Sequence, residues 1–160
     1  KKFTKGWLQP VLDNAKIVYE SGKHLEISNL VVTDLTNNME SYDKMIDFML
    51  KELSPEIPLH FTRFHPDYKY MNYEKTPVED VVEARNRALE RGMKYAYIGN
   101  AFEGESLNTY CPQCKTLLIE RYGLHTYIKD DLNKDGTCKK CGFKTNIEEI
   151  CAKDKETVLE

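Results

Sequence analysis

Apolar positions along the first hundred residues switch between two periods, and the switches mark the elements. Pro10 suits a first helical position, Val11, Ala15 and Val18 recur at helical spacing, and Gly22 stops the run, so a helix is predicted over 10–21. Leu25-Glu26-Ile27-Ser28-Asn29-Leu30-Val31-Val32 alternates and then becomes continuously apolar, as a strand entering a covered sheet does. From Asn38 to Leu53, seven apolar residues fall within an arc of roughly 140° at the helical period, which predicts a second amphipathic helix. Leu59-His60-Phe61-Thr62-Arg63-Phe64 reads as the next strand, with Pro55 and Pro58 before it. Thr76-Pro77-Val78-Glu79 has the form of an N-cap, a first-turn proline and a Glu three residues after the cap, opening a third helix that ends at Gly92. Lys94–Asn100 is the third strand.

The strand centres repeat about every 34 residues, the length of one strand–helix unit in a parallel sheet. Three such units make part of a barrel or of an open doubly wound sheet. Ala101–Thr109 reads as a linker. Beyond it the pattern changes: Leu117–Arg121 and Leu124–Ile128 form a hairpin around Gly123, and Asp135-Gly136 signals another turn. The expected division is 1–104 for the strand–helix units, 105–146 for a small module, and 147–160 for a charged tail.

Composition narrows the class. In 160 residues, 41% apolar and 31% charged, there is enough apolar side chain for a core and no run long enough to span a bilayer. With no signal peptide at its start, the sequence reads as cytoplasmic. Net charge is −3, and a basic excess of the kind that binds phosphate backbones is missing, which disfavours nucleic acid as a partner.

The cysteines carry the most specific chemistry. Cys111-Pro112-Gln113-Cys114 and Cys138-Lys139-Lys140-Cys141 are two C-x-x-C knuckles separated by 23 residues, the spacing that assembles a tetrahedral sulfur shell. Zinc in a closed structural site is the leading reading; iron in a rubredoxin-like redox site and a catalytic dithiol are alternatives. Cys151 has no partner in the pattern and reads as a free thiol.

Two further sets of polar residues stand out. His60-Phe61-Thr62-Arg63-Phe64-His65-Pro66-Asp67-Tyr68 places His, Arg and Asp at and beyond a strand's carboxyl end, where parallel-sheet proteins gather ligand-binding groups. Ser28 and Asn29 lie in an otherwise apolar strand, so one faces the helices and the other the opposite side. His24 and His125 read as surface residues, and Trp7 and the tyrosines as packing.

The runs Leu30-Val31-Val32 into Thr36-Asn37, Arg63-Phe64-His65-Pro66-Asp67-Tyr68, Tyr97-Ile98-Gly99-Asn100, Asn108-Thr109-Tyr110-Cys111-Pro112 and Leu118-Ile119-Glu120-Arg121 resemble the carboxyl-terminal half of the radical SAM enzyme of the AmmeMemoRadiSam system. That group is similar to the pyruvate formate-lyase activating enzymes, and the resemblance covers roughly residues 5–146. It implies a partial or full (β/α) barrel, here a partial one followed by a rubredoxin-like zinc ribbon. It also implies an enzyme that uses a [4Fe-4S] cluster and S-adenosylmethionine to generate a 5′-deoxyadenosyl radical. The strand that ends Leu-Pro-Tyr-His in glycyl-radical activating members corresponds to Thr62, Arg63, Phe64 and His65 here, with Arg63 in place of the proline. The cosubstrate contact on the preceding strand falls on Ser28 or Asn29. The group's C-x3-C-x2-C cluster loop has no counterpart in these 160 residues, so the cluster and the cosubstrate's iron contact belong to a longer parent. The chain is then expected to pair with the missing amino-terminal half, or with itself, along an open sheet edge at Leu25–Val32. A freestanding ribbon module for binding a partner and a rubredoxin-like electron carrier are the alternative functions.

Overall fold

A computed structural model describes residues 6–101 and 104–147. In chain order the elements are α1 (Leu8–Glu20), β1 (Ile27–Val31), α2 (Met39–Glu52), β2 (Leu59–Arg63), α3 (Val78–Glu90) and β3 (Ala96–Gly99), then the short strand β4 (Thr109–Tyr110) and the hairpin β5 (Leu117–Tyr122) and β6 (His125–Ile128). The first three strands form a parallel sheet in the order β1-β2-β3, and the last three an antiparallel sheet in the order β4-β5-β6. The molecule is thus mixed α/β, with a four-cysteine module after the parallel sheet.

Register fixes what each face of the parallel sheet carries. Ser28, His60 and Tyr97 are aligned, and Leu30, Thr62 and Gly99 form the next row. The alternate residues Val31, Leu59, Phe61, Ala96 and Ile98 are buried in one cluster with Tyr42, Ile46 and Met49 of α2 and Val81, Ala84 and Ala88 of α3. Both crossovers therefore lie on one side of the sheet, as right-handed β-α-β connections between neighbouring strands require. Each large side chain in that cluster is worth about 1.5–3 kcal/mol of burial, so this layer holds the sheet together. Asp43 of α2 clamps the pair of helices by accepting two hydrogen bonds from Arg87 at 2.9 and 2.8 Å, and Arg91 reaches both Asp43 and Asp47.

Helix α2 starts where the sequence predicts, with the Asn38 side chain accepting from the Ser41 amide at 2.9 Å. Helix α3 does not. It begins at Val78 with Pro77 in the capping position, and Thr76 makes no cap. The Thr76 hydroxyl, fully buried, donates instead to the Val31 carbonyl at 2.7 Å, while its amide meets Phe64 and its carbonyl accepts from Arg63 Nε. A buried carbonyl at the end of β1 has a stronger claim on the hydroxyl than solvent-accessible helix amides have.

Trp7, read from the sequence as a packing residue, lies largely at the surface. It is 63% exposed, because α1 is buried only at Ala15 and its remaining apolar arc, including Leu8 and Val11, faces outward. Tyr68 and Tyr122 are exposed as well, whereas Tyr42 and Tyr95 are core residues.

Thr76→Val keeps the shape and removes the bond to Val31. It should lower unfolding free energy by about 1 kcal/mol, and Thr76→Ala by more, in denaturant titrations. Equal stability of Thr76→Val and wild type would show that this hydroxyl anchors nothing.

Candidate metal centre and the open sheet face

The two knuckles are built alike. The Cys111 amide bonds Thr116 O and the Lys115 amide bonds Cys111 O; in the second knuckle Cys138 bonds Phe143 O and Gly142 bonds Cys138 O, all four at 2.8–2.9 Å. Each loop turns back through a residue of positive φ, +60° at Lys115 and +74° at Gly142. Glycine adopts that conformation freely and lysine does so with strain, so the first knuckle tightens at a cost the second avoids.

This arrangement brings the four Sγ atoms of Cys111, Cys114, Cys138 and Cys141 within 4.8 Å of one another, and none is in a disulfide. Cys111 to Cys141 is 3.5 Å and Cys114 to Cys138 is 3.7 Å. Sulfurs around a tetrahedral cation with bonds of ~2.3 Å stand roughly 3.8 Å apart, close to these two separations, so the four thiols could hold a metal ion. Cys111 and Cys138 are fully buried and pack with Leu118, Ile119 and Leu132, while Cys114 faces solvent. Side-chain and backbone hydrogen bonds to Thr116 draw the Cys114 thiol down to about 6. At Cys141 the backbone hydrogen bond of Phe143 pulls the same way but is outweighed by burial and the neighbouring thiols, which push it up to about 12. Four thiolates cannot share this space unless a cation neutralises them. Cys151 lies outside the described residues.

The face of the parallel sheet away from the helices is open and mostly polar, with Leu30 exposed beside Thr62. Ser28 Oγ and Thr62 Oγ1 are 3.0 Å apart, and a Cβ at Gly99 would meet Thr62 Oγ1 at 3.0 Å, so glycine leaves the Thr62 hydroxyl accessible. In the row of Ser28, His60 stacks on Tyr97 with ring centroids 5.3 Å apart, and Glu26 accepts from His60 Nε2 at 2.9 Å and from His24 Nε2 at 3.0 Å. The four-cysteine module borders this end of the face: Thr109 meets the Tyr97 hydroxyl at 2.9 Å, and the Arg121 guanidinium lies over the Tyr97 ring at 5.4 Å.

Of the five residues that the resemblance assigns to the cosubstrate, two share this face, Ser28 and Thr62. Asn29 is aligned with Phe61 on the helix-covered side, because consecutive strand residues point to opposite faces. Arg63 turns to the Thr76 carbonyl and is a loop anchor, and His65 is exposed in the segment after β2. The sequence reading missed the group Glu26, His60, Tyr97 and Arg121. Glu26 and His60 belong to strand patterns 34 residues apart, and Arg121 to the other module, so nothing in the sequence links them.

The chain is 44% identical over 147 residues, 92% of its length, to an uncharacterized protein of Methanocaldococcus jannaschii. It spans 44% of that relative, less than half its length. No family model matches the chain, and no solved structure matches it. Among the described residues no helix is long and apolar enough to cross a membrane.

Lys115→Gly relieves the positive φ of the first knuckle. It should raise stability by about 0.5–1 kcal/mol while leaving metal stoichiometry unchanged, read by calorimetry and elemental analysis. A destabilised Lys115→Gly would mean that the lysine side chain contributes more than its backbone strain removes.

Proposed function

We propose that this chain is the carboxyl-terminal part of a radical SAM oxidoreductase of the activating-enzyme type, ending in a structural zinc ribbon. The observation that carries the reading is the parallel order β1-β2-β3 with helices, among the described residues, on one face only. A doubly wound sheet covers both faces with helices, whereas an arc of a (β/α) barrel keeps one face for the interior. Toward the carboxyl ends of the strands, where such barrels bind ligands, the open face carries Leu30, Thr62 and Gly99, and Ser28 in the row before them bonds Thr62. A relative more than twice as long leaves room for the other strands.

The residues present do not fit a [4Fe-4S] cluster of this enzyme class. Four of the five cysteines belong to the ribbon, and no C-x3-C-x2-C triad exists in the sequence. The chain's own part is to supply one wall of the cosubstrate and substrate pocket, with Ser28 and Thr62 as its hydroxyl contacts and His65 at the rim. The opposite wall, and a strand along the edge of β1 that no described strand pairs, come from the amino-terminal half of the parent. The same edge makes the isolated chain prone to self-association.

Zinc is the ion that best suits the ribbon, since an all-thiolate shell closes the coordination sphere. A rubredoxin-like electron carrier is the second reading, favoured by the pseudo-symmetric pair of knuckles and the solvent-facing Cys114.

Protein purified without chelator should hold one zinc and no iron per chain, and Cys138→Ser should lose the metal and unfold the ribbon. A red, iron-loaded protein would instead select the electron carrier. Reconstituted with iron and sulfide, the chain should release no 5′-deoxyadenosine. A polypeptide that joins it to a cluster-binding half should release it, and Thr62→Val there should weaken S-adenosylmethionine binding. Deoxyadenosine from the chain alone, or unchanged affinity in both Ser28→Ala and Thr62→Val, would sink the reading.

A further inference from the structure

Helix α1 carries more uncovered apolar surface than its place beside the sheet explains. Leu8, Val11, Ala15 and Tyr19 recur at i, i+3, i+7 and i+11, so they share an arc of about 80° on one side of the helix. Ala15, 8% exposed, identifies that side as the one turned to the core, because it belongs to the same buried cluster as Val31 of β1 and the inner residues of α2 and α3. Yet Leu8 and Val11 on the same arc are 71% and 63% exposed, and Tyr19 is exposed as well. The stripe that a helix normally seats on a sheet here overhangs its rim. A salt bridge from Lys16 to Glu52 at 2.6 Å puts α2 on one flank of α1, and the sheet ends at β1, whose second edge no described strand pairs.

The handedness of parallel crossovers fixes what fits under the overhang. Helix α1 lies on the same face of the sheet as α2 and α3 and runs into β1. With the helix on that face, a right-handed strand–helix–strand unit that ends in β1 begins with a strand on the far side of β1 from β2. That position is beneath Leu8 and Val11. A second copy of the chain fits less well: β1 paired with itself about a twofold axis brings both α1 helices over one pair of strands ~4.8 Å apart, too narrow for helices that pack ~8–10 Å axis to axis. The relative from Methanocaldococcus jannaschii, of which the chain spans 44%, has residues to spare for such a strand.

We infer that the overhanging face of α1 is the docking surface for the remaining part of a longer parent chain, which lays a strand parallel to β1 beneath Leu8, Val11 and Tyr19. This docking role rests on the proposed membership in a longer parent and not on its radical chemistry. It closes the apolar stripe of α1 and the edge of β1 in one step, so the two become protected together.

Hydroxyl-radical footprinting, read by mass spectrometry, compares the zinc-loaded 160-residue chain with the polypeptide that joins it to the rest of the parent. Modification of Leu8, Val11 and Tyr19 should fall about fivefold or more in the joined polypeptide, and amide exchange in β1 should slow about tenfold or more. Val11→Asp should leave the melting temperature of the 160-residue chain unchanged or higher, since an acidic group near the amino end of a helix suits its dipole. In the joined polypeptide the same change should lower it by about 4 °C or more, because the carboxylate is then buried. Equal modification in the two polypeptides, or a joined polypeptide that Val11→Asp leaves as stable as before, would overturn the docking role. So would protection of the three residues that grows with the concentration of the isolated chain, which assigns the face to a second copy. Release of 5′-deoxyadenosine is scored separately: a protected α1 in a polypeptide that releases none keeps the docking surface and removes the radical reading.

Discussion

The central strand β2 is hydrogen-bonded along both edges, and its five residues divide the molecule into a dry side and a wet one. Leu59 and Phe61 are fully buried against α2 and α3. His60 and Thr62, between them in sequence, face the other way and gather Glu26, Tyr97 and Ser28 around them. Because pleating reverses the side chain at every residue, slipping β2 by one position would drive His60 and Thr62 into the helices and expose Phe61. The apolar layer that stabilises the sheet is therefore also what keeps the polar face in register.

The four-cysteine module is stabilised on a different principle. Its buried apolar set is small, Leu118, Ile119 and Leu132 beside Cys111 and Cys138, and a core of that size does not hold a fold of some forty residues by burial alone. A metal ion tying the knuckles would supply the rest, and metal binding and folding of this module would then be one equilibrium. The module is not isolated from the sheet: Thr109 and Arg121 meet Tyr97, Lys94 lies 5.1 Å from the Phe143 ring, and Asn146 donates to Glu56 O at 2.8 Å. Loss of the metal would thus reach Tyr97 and its stacked His60 through packed contacts.

Together these features describe two rows of one open face. Toward the carboxyl ends of the strands it carries Leu30, Thr62 and Gly99; the row before them is Ser28, His60 and Tyr97, with Glu26 and Arg121 beside it near the four-cysteine module.

The sequence by itself determined what depends on local periodicity and spacing. The three helices, the three parallel strands, the hairpin and the four metal-ligand cysteines lie within a few residues of where apolar period and C-x-x-C spacing put them, since these signals are set by side chains near one another in the chain. Only the tertiary structure decided the rest. Ser28, not Asn29, reached the open face because the register of β1 on β2 is set by which residues α2 and α3 bury. Thr76 gave up its capping role because a carbonyl 45 residues earlier needed its hydroxyl. Glu26, His60, Tyr97 and Arg121 became neighbours because parallel pairing aligns residues some 34 positions apart and the module folds back beneath them. Such long-range pairings leave no local periodicity to read, which is why the most polar cluster of the molecule was the part the sequence did not reveal.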